Sequence, residues 1–286
     1  LVADSQGNWQ LTLQPSELQN LPNGNLVISV TATDSAGNSN SYTGSATVDK
    51  IAPALVVNPI SNDNIINATE ALSAVNITGS APQSEAGRTV SVQLNGVTYS
   101  SLVQPDGTWS IPLSNSVLQG LADGNYPVRV TISDSAGNQT TVDRTLTIDA
   151  SPANLPTVTI NSVSGDNFIN RVESTKDVLI NGVSSHVEVG RTVSVMLNGK
   201  TYSGTVQSDG SWQVTVPAAD VSKLPEGALT AQATVTDVAG NPASDTHQVT
   251  VIASLADQPV LTVSTVTSDD IINYQESQSA LTIHGN

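Results

Sequence analysis

A long internal repeat constrains this chain more than any local pattern does. Trp9, Trp109 and Trp212 stand 100 and 103 residues apart, and Asp34, Asp134 and Asp237 keep the same spacings. The stretch from Asp106 to Asp149 shows the order in full: a D-G-x-W turn, a Leu-bearing link, an alternating apolar run, a D-x-A-G-N turn and a closing Asp. A second block, D-x-[IF]-I-N-x-x-E, covers Asp63 to Glu70, Asp166 to Glu173 and Asp269 to Glu276, at intervals of 103 residues. Solenoid repeats recur every 20–50 residues or so. A period near 100 is that of a whole small sandwich domain, so the chain reads as beads on a string. Two modules, 55–154 and 155–257, are complete. Residues 1–54 carry the later portion of a module and 258–286 only its first strands, so the sequence reads as a piece of a longer array.

Within each module almost every segment alternates apolar with polar residues. In the first, Leu55/Val57, Val75/Ile77 and Val90/Val92/Leu94 are followed by an Asn95-Gly96 turn and a return run from Tyr99 to Val103. Trp109/Ile111/Leu113, then Tyr126/Val128/Val130/Ile132, then Leu146/Ile148 complete the set. Period-2 patterning rich in Val, Ile and Thr, bounded by Gly, Asn, Asp and Pro, marks half-buried antiparallel strands. Seven of them in about 100 residues predict a two-sheet sandwich. The link after each Trp strand (15–21, 114–121, 218–224) carries apolar residues three apart, which predicts a single helical turn plugging one end. Each Trp stands at an inward position of its strand, where a large aromatic fills the core. That reading is preferred to an exposed platform for stacking sugars.

Charge limits the partners. The chain has 9 Lys+Arg against 25 Asp+Glu, a net −16, which argues against nucleic acid and anionic membranes. No apolar run approaches a membrane span of about 20 residues. With no cysteine, disulfides, thiolate metal sites and Cys nucleophiles are excluded, and the lack of disulfides leans towards bacterial export.

Strand order places the carboxylates. Successive strands reverse direction, so alternate loops share an end. The incoming end is expected to hold Glu85, Asp106 and Asp134 in the first complete module, and Glu188, Asp209 and Asp237 in the second. The outgoing end holds the loops with Asp63, Asn67 and Glu70 and with Asp166, Asn170 and Glu173, beside the strand exits at Asp49 and Asp149. End-to-end modules would bring Asp49 towards Asp134, Asp106 and Glu85, and Asp149 towards Asp237, Asp209 and Glu188. Crowded carboxylates repel unless neutralised, and Ca²⁺ takes 6–8 oxygen ligands in flexible geometry, with a Kd of roughly 10⁻⁴–10⁻³ M in extracellular modules. The competing reading makes these residues ordinary turn formers, since Asp and Asn bond their own backbone. The third linker, Ile252-Ala253-Ser254, has no Asp at the place of Asp49 and Asp149, and Asp257 follows only later.

Together G-D-N-x-I-N-x-x-E (165–173), G-R-T-V-S-V-x-L-N-G (87–96 and 190–199), D-G-[ST]-W and T-D-x-A-G-N resemble the bacterial Ig-like repeats of giant surface adhesins, the non-fimbrial and biofilm-associated proteins that look like type I secretion substrates. The likeness covers essentially the whole chain. It implies an all-β fold of tandem Ig-like antiparallel β-sandwich modules in an elongated array. It also implies an extracellular stalk at the bacterial cell surface, stiffened by Ca²⁺ at the module junctions, whose partners are its own neighbouring modules. Any host or matrix surface would be met through segments outside this sequence.

Catalysis needs one local constellation, and here every candidate carboxylate recurs from module to module. His186, His247 and His284 are scattered, so a hydrolytic triad finds no support. The contest is between a spacer, adding about 35–45 Å per module from strands that rise about 3.3 Å per residue, and a binder of carbohydrate or protein without calcium. A binder should carry a surface patch that its siblings lack. Among aromatics only Tyr42, Tyr126 and Tyr274 are unshared, in three different modules, and the spacer reading prevails.

Overall fold

Alternation of side chains carries directly into the sheets. The computed structural model describes residues 1–257 and 259–286. Its contacts divide the chain into two units, Leu1–Ser151 and Pro152–Asn286.

The first unit opens with a short helix, α1 (Pro15–Gln19), and a hairpin of β1 (Gly24–Thr33) and β2 (Ser39–Val48), paired from Gly24↔Val48 to Thr33↔Ser39. A sandwich follows. Its strands are β3 (Val56–Val57), β4 (Ile65–Asn67), β5 (Val75–Ser80), β6 (Thr89–Leu94), β7 (Val97–Leu102), β8 (Thr108–Leu113), β9 (Gly124–Ser133) and β10 (Gln139–Asp149), with α2 (Asn115–Gln119) between β8 and β9. One sheet has the order β3-β5-β8, the other β4-β10-β9-β6-β7. Val90, Val92 and Leu94 face Ile77, Ile111 and Leu113 across the core, and none is more than 1% exposed. Burial of each such side chain stabilises by about 1.5–3 kcal/mol. Leu118 of α2 is fully buried and closes one end.

The second unit repeats the plan with β11 (Thr157–Val163), β12 (Phe168–Asn170), β13 (Val178–Ser185), β14 (Thr192–Leu197), β15 (Lys200–Thr205), β16 (Ser211–Val216), α3 (Ala218–Val221), β17 (Gly227–Thr236) and β18 (Pro242–Ile252). Its sheets are β11-β13-β16 and β12-β18-β17-β14-β15. In residues 259–286 the pattern starts again: Thr262 and Asn286 exchange backbone bonds, and the Ser264 N–H donates to the His284 carbonyl at 2.9 Å.

Two expectations change. The loop expected at 63–70 contains a strand, so each sandwich has eight strands, not seven. The two consecutive isoleucines of D-x-I-I-N show no alternation, yet Ile66 is fully buried, and β4 pairs parallel with β10 through Ile65↔Thr147, Ile66↔Ile148 and Asn67↔Asp149. The chain thus crosses from one sheet to the other between β3 and β4. Trp9 departs as well. Trp109 and Trp212 are 1% and 2% exposed, but Trp9 is 51% exposed. β5 and β13 cover the first two, whereas among the described residues no strand pairs with residues 9–13.

The buried indoles depend on glycine. Gly79 pairs with Trp109 and Gly182 with Trp212 in neighbouring strands. A Cβ on Gly182 would stand 1.9 Å from the Thr159 carbonyl oxygen and 2.3 Å from Trp212 Cζ2, and Gly79 is as tightly enclosed. Among the described residues no helix is long and apolar enough to cross a membrane.

Candidate functional site: the ends of the sandwiches

Because consecutive strands reverse, the loops 81–88, 103–107 and 134–138 gather at the incoming end of the first sandwich. The Ala81 N–H donates to the Gly107 carbonyl and the Gly87 N–H to the Val103 carbonyl, both at 2.8 Å. Here Asp134 accepts the N–H groups of Ala136 and Asn138 on Oδ1 and the Asn138 amide on Oδ2. Asp106 accepts both the N–H and the hydroxyl of Thr108. Glu85 accepts the Ser84 hydroxyl. Asp49 accepts the Ile51 N–H on Oδ1, and its carbonyl accepts the Asn138 amide at 3.2 Å. The incoming linker is therefore brought against the D-x-A-G-N loop by its backbone, and the Asp49 carboxylate turns to its own linker.

In the second sandwich Asp209 accepts the N–H and hydroxyl of Ser211. Asp237 accepts the Asn241 N–H at 2.8 Å and the Asn241 amide at 2.9 Å, and both residues are 2% exposed. Glu188 reaches across to the same loop and accepts the Val238 N–H at 2.9 Å. Asp149 belongs to the first unit, at the end of β10.

The outgoing-end motif closes on itself. Asp63 accepts the Ile65 N–H, Asn67 caps the N–H groups of Thr69 and Glu70, and Glu70 accepts the Asn67 N–H and the Ser61 hydroxyl. Asp166, Asn170 and Glu173 repeat each bond, with Ser164 in place of Ser61. The spacing N-x-x-E is a reciprocal cap on the 3₁₀ turns at Glu70–Leu72 and Glu173–Thr175. Asp269, Asn273 and Glu276 form the same cap. Among the described residues no three His, Cys, Asp or Glu side chains come together as the ligands of one ion. The side chain of Asp257 lies outside what is described.

A further set of residues went unread in the sequence. Asn23 accepts the Lys50 N–H, Asp123 accepts the N–H groups of Ala150 and Ser151, and Glu226 accepts the Ala253 N–H. These three stand at one repeat position, just before β1, β9 and β17, and each grips the linker within two residues of its module's last strand. Lys50 adds bonds from Nζ to the carbonyls of Gln19 and Leu21. The signal available was an acceptor followed by Gly at 23–24, 123–124 and 226–227.

The turn bonds have a pH signature. The Asn138 amide, with backbone N–H groups, holds the Asp134 carboxyl below its ordinary 3.8, and Ser211 and Thr108 do the same for Asp209 and Asp106. A carboxyl lowered by folding contributes stability that is full above its unfolded pKa and is lost as pH falls through the folded one. The urea midpoint is expected to stay level from neutral pH to about 5 and to drop below about 4. A rise on acidification would show instead that relief of repulsion in this acidic chain outweighs the turns.

The profile of the bacterial Ig-like domain family matches residues 59–150 and 156–252. Among solved structures, the chain is similar to a Ca²⁺-stabilised adhesin with which an Antarctic bacterium binds ice, at 32% identity and TM-score 0.43, over 99% of this chain and 69% of that one. A fragment of a 1.5-MDa bacterial ice-binding adhesin is 31% identical, with TM-score 0.42, over 88% of this chain and 82% of its own. A single immunoglobulin-like domain of the M. primoryensis ice-binding adhesin is 35% identical over 34% of this chain and 98% of its own, with TM-score 0.27. A search of curated proteins returned no match.

Proposed function

The chain belongs to the bacterial Ig-like domain family, and from that premise we propose that it is a stalk segment of a large, extracellular bacterial adhesin, a spacer and not an enzyme, supporting cell adhesion or biofilm formation. The observation that carries this reading is the junction at residues 49–53, which is held from both sides. Asn23 and Lys50 fasten it to the preceding hairpin, and Asn138 and the Thr140 hydroxyl, through the carbonyls of Asp49 and Pro53, fasten it to the following sandwich. A tether between independent binding domains needs no such grip, whereas a stalk does.

Ca²⁺ at the junctions belongs to the proposal. The available donors are all oxygens, as a hard cation requires, and an oxygen that accepts one N–H keeps a second lone pair for an ion. Asp49, Glu85, Asp106 and Asp134 would hold the ion at the first junction; Glu188, Asp209 and Asp237 are the matching donors of the second sandwich, and Asp149 is the match of Asp49 at the end of the first. Asp63, Asn67, Glu70 and their counterparts Asp166, Asn170 and Glu173 have their caps as first duty and stand as outer donors. Ca²⁺ stabilisation in a relative with 32% of residues in common agrees with this.

The test is calorimetry of the 286-residue chain in EDTA and in millimolar Ca²⁺, beside Asp149→Ala. Ion at about ten times its Kd adds about 1.4 kcal/mol per site. A rise in melting temperature that the variant reduces is the expected result. Indifference of both proteins to Ca²⁺ sinks the ion sites and leaves the loops as plain turns.

A further inference from the structure

The two sandwiches are not interchangeable on the outer face of the smaller sheet. In the second, a groove of about 590 Å³ lies over β11, β13 and β16 and beside β15, within the size range of small-ligand sites. Four carboxamides line it, from Asn161, Asn181, Gln207 and Gln213, and no charged residue does. Asn181 pairs with Gln213 across β13 and β16, and Asn161 occupies the bulge where β11 slips against β13. A bulge re-aims its side chain, so three amides form a row across the sheet at the strand spacing of about 4.8 Å. Among the described residues the side chains of Asn161, Asn181 and Gln213 make no hydrogen bond. Gln207 gives its amide N–H to Thr205 and keeps its oxygen.

At the same positions the first sandwich has Asn58, Thr78, Gln104 and Ser110. There Asn58 is already spent on the Thr78 hydroxyl at 3.0 Å, and Thr78 pairs with Ser110. The indole beneath is shared: Nε1 of both Trp109 and Trp212 is buried without an acceptor. What differs is the layer of amides above it. Replacement of hydroxyls by longer carboxamides at two aligned positions gives the second sandwich four amides where its sibling has two.

We propose that this groove binds a neutral glycan chain. Each free carboxamide offers a donor pair and an acceptor, which matches neighbouring sugar hydroxyls, and the absence of charge selects against uronic or sialic acids. At the β16 edge an added peptide strand is blocked, because β15 comes close against it: a Cβ on Gly204 would lie 2.1 Å from the Gln213 carbonyl oxygen. The ligand therefore lies over the face and meets side chains. The stalk would then make lateral contacts with a polysaccharide matrix as well as extend through it.

The chain carries its own internal control, since three tryptophans give three indole N–H signals in a ¹⁵N–¹H spectrum. The full 286-residue chain is titrated with neutral cello-, malto- and laminari-oligosaccharides and with an acidic oligogalacturonate. At least one neutral series is expected to shift the Trp212 signal with a Kd of about 1 mM, equivalent to about −4 kcal/mol, while Trp109 stays still. The variant Asn181→Thr/Gln213→Ser, which installs the residues of the first sandwich, should weaken binding at least tenfold with its melting temperature unchanged. Asn161→Ala, at an exposed side chain, serves if the double variant melts early. The proposal is overturned if no neutral sugar moves Trp212, if the acidic sugar binds as well, or if the variants bind like the parent chain.

Discussion

Gly182→Ala is expected to unfold the second sandwich while the first keeps its own melting transition. The added methyl meets a backbone oxygen on one side and a buried indole on the other, at 1.9 and 2.3 Å, and neither can step aside without opening the sheet or the core. Overpacking of a well-filled core costs about 1–3 kcal/mol when side chains can yield, and here one obstacle is the β11 main chain, so the loss should reach or exceed the top of that range. Trp212→Ala attacks the same contact from the other side and should cost about 3–5 kcal/mol. Against a typical domain stability of 5–15 kcal/mol, either loss shows in calorimetry as a transition shifted far down or abolished. Combining the two should cost less than their sum, because removal of the indole relieves one of the two clashes. A single transition at the parental temperature in Gly182→Ala would mean that the indole is not seated on that glycine.

The second large effect is a contrast between two copies of one motif. Asp237→Ala removes the two carboxylate oxygens to which the Asn241 N–H and amide donate, in a loop where each residue is 2% exposed. Stranding the buried Asn241 N–H costs about 1–3 kcal/mol, so the second sandwich should lose about that much, with the side-chain amide weakened besides. Asp134 makes the matching bonds to Asn138, but its loop is open to water, which replaces the lost acceptor, and Asp134→Ala should shift the melting temperature less. Asp237→Asn, which keeps one oxygen in place, should recover some of the loss. Equal shifts at the two positions would show that the motif works through turn geometry alone, independent of burial.

How far the sequence could be read follows from the kind of signal each feature leaves. The strands that carry the core were legible, because Val90, Val92 and Leu94 or Val128, Val130 and Ile132 alternate with polar residues over a full strand. β4 was not, since three residues with two adjacent isoleucines have no period, and pairing with a strand about 80 residues away leaves no local trace. The turn roles of Asp106 and Asp134 were weighed from residue type and are seen in their bonds. The grip of Asp123 on the linker leaves only the repeated acceptor-Gly pair in the sequence, because it joins a side chain to backbone groups 27 and 28 residues later. Trp9 marks a different limit: its strand position implies burial, but burial needs a facing strand, which residues 9–13 do not have. The amide row at Asn161, Asn181 and Gln213 was invisible for the same reason, as three unremarkable residues become neighbours only through strand pairing and a bulge.

The crossing of the chain between sheets at β3 and β4 bears on how a sandwich answers a pull. Tension enters through the linker at residues 49–53 and leaves at the end of β10. β4 and β10 run parallel over three registered pairs, so opposed forces on the two termini slide one strand along the other. The ladder is then loaded in shear, and its bonds must give way together, unlike those of a hairpin opened from its end, which break in succession. The same three pairs hold Asn67 beside Asp149, so the last bonds before the outgoing linker are also the first to take the strain. A chain of such units would resist a pull by collective rupture, in which the three-residue strands β4 and β12 set the breaking load.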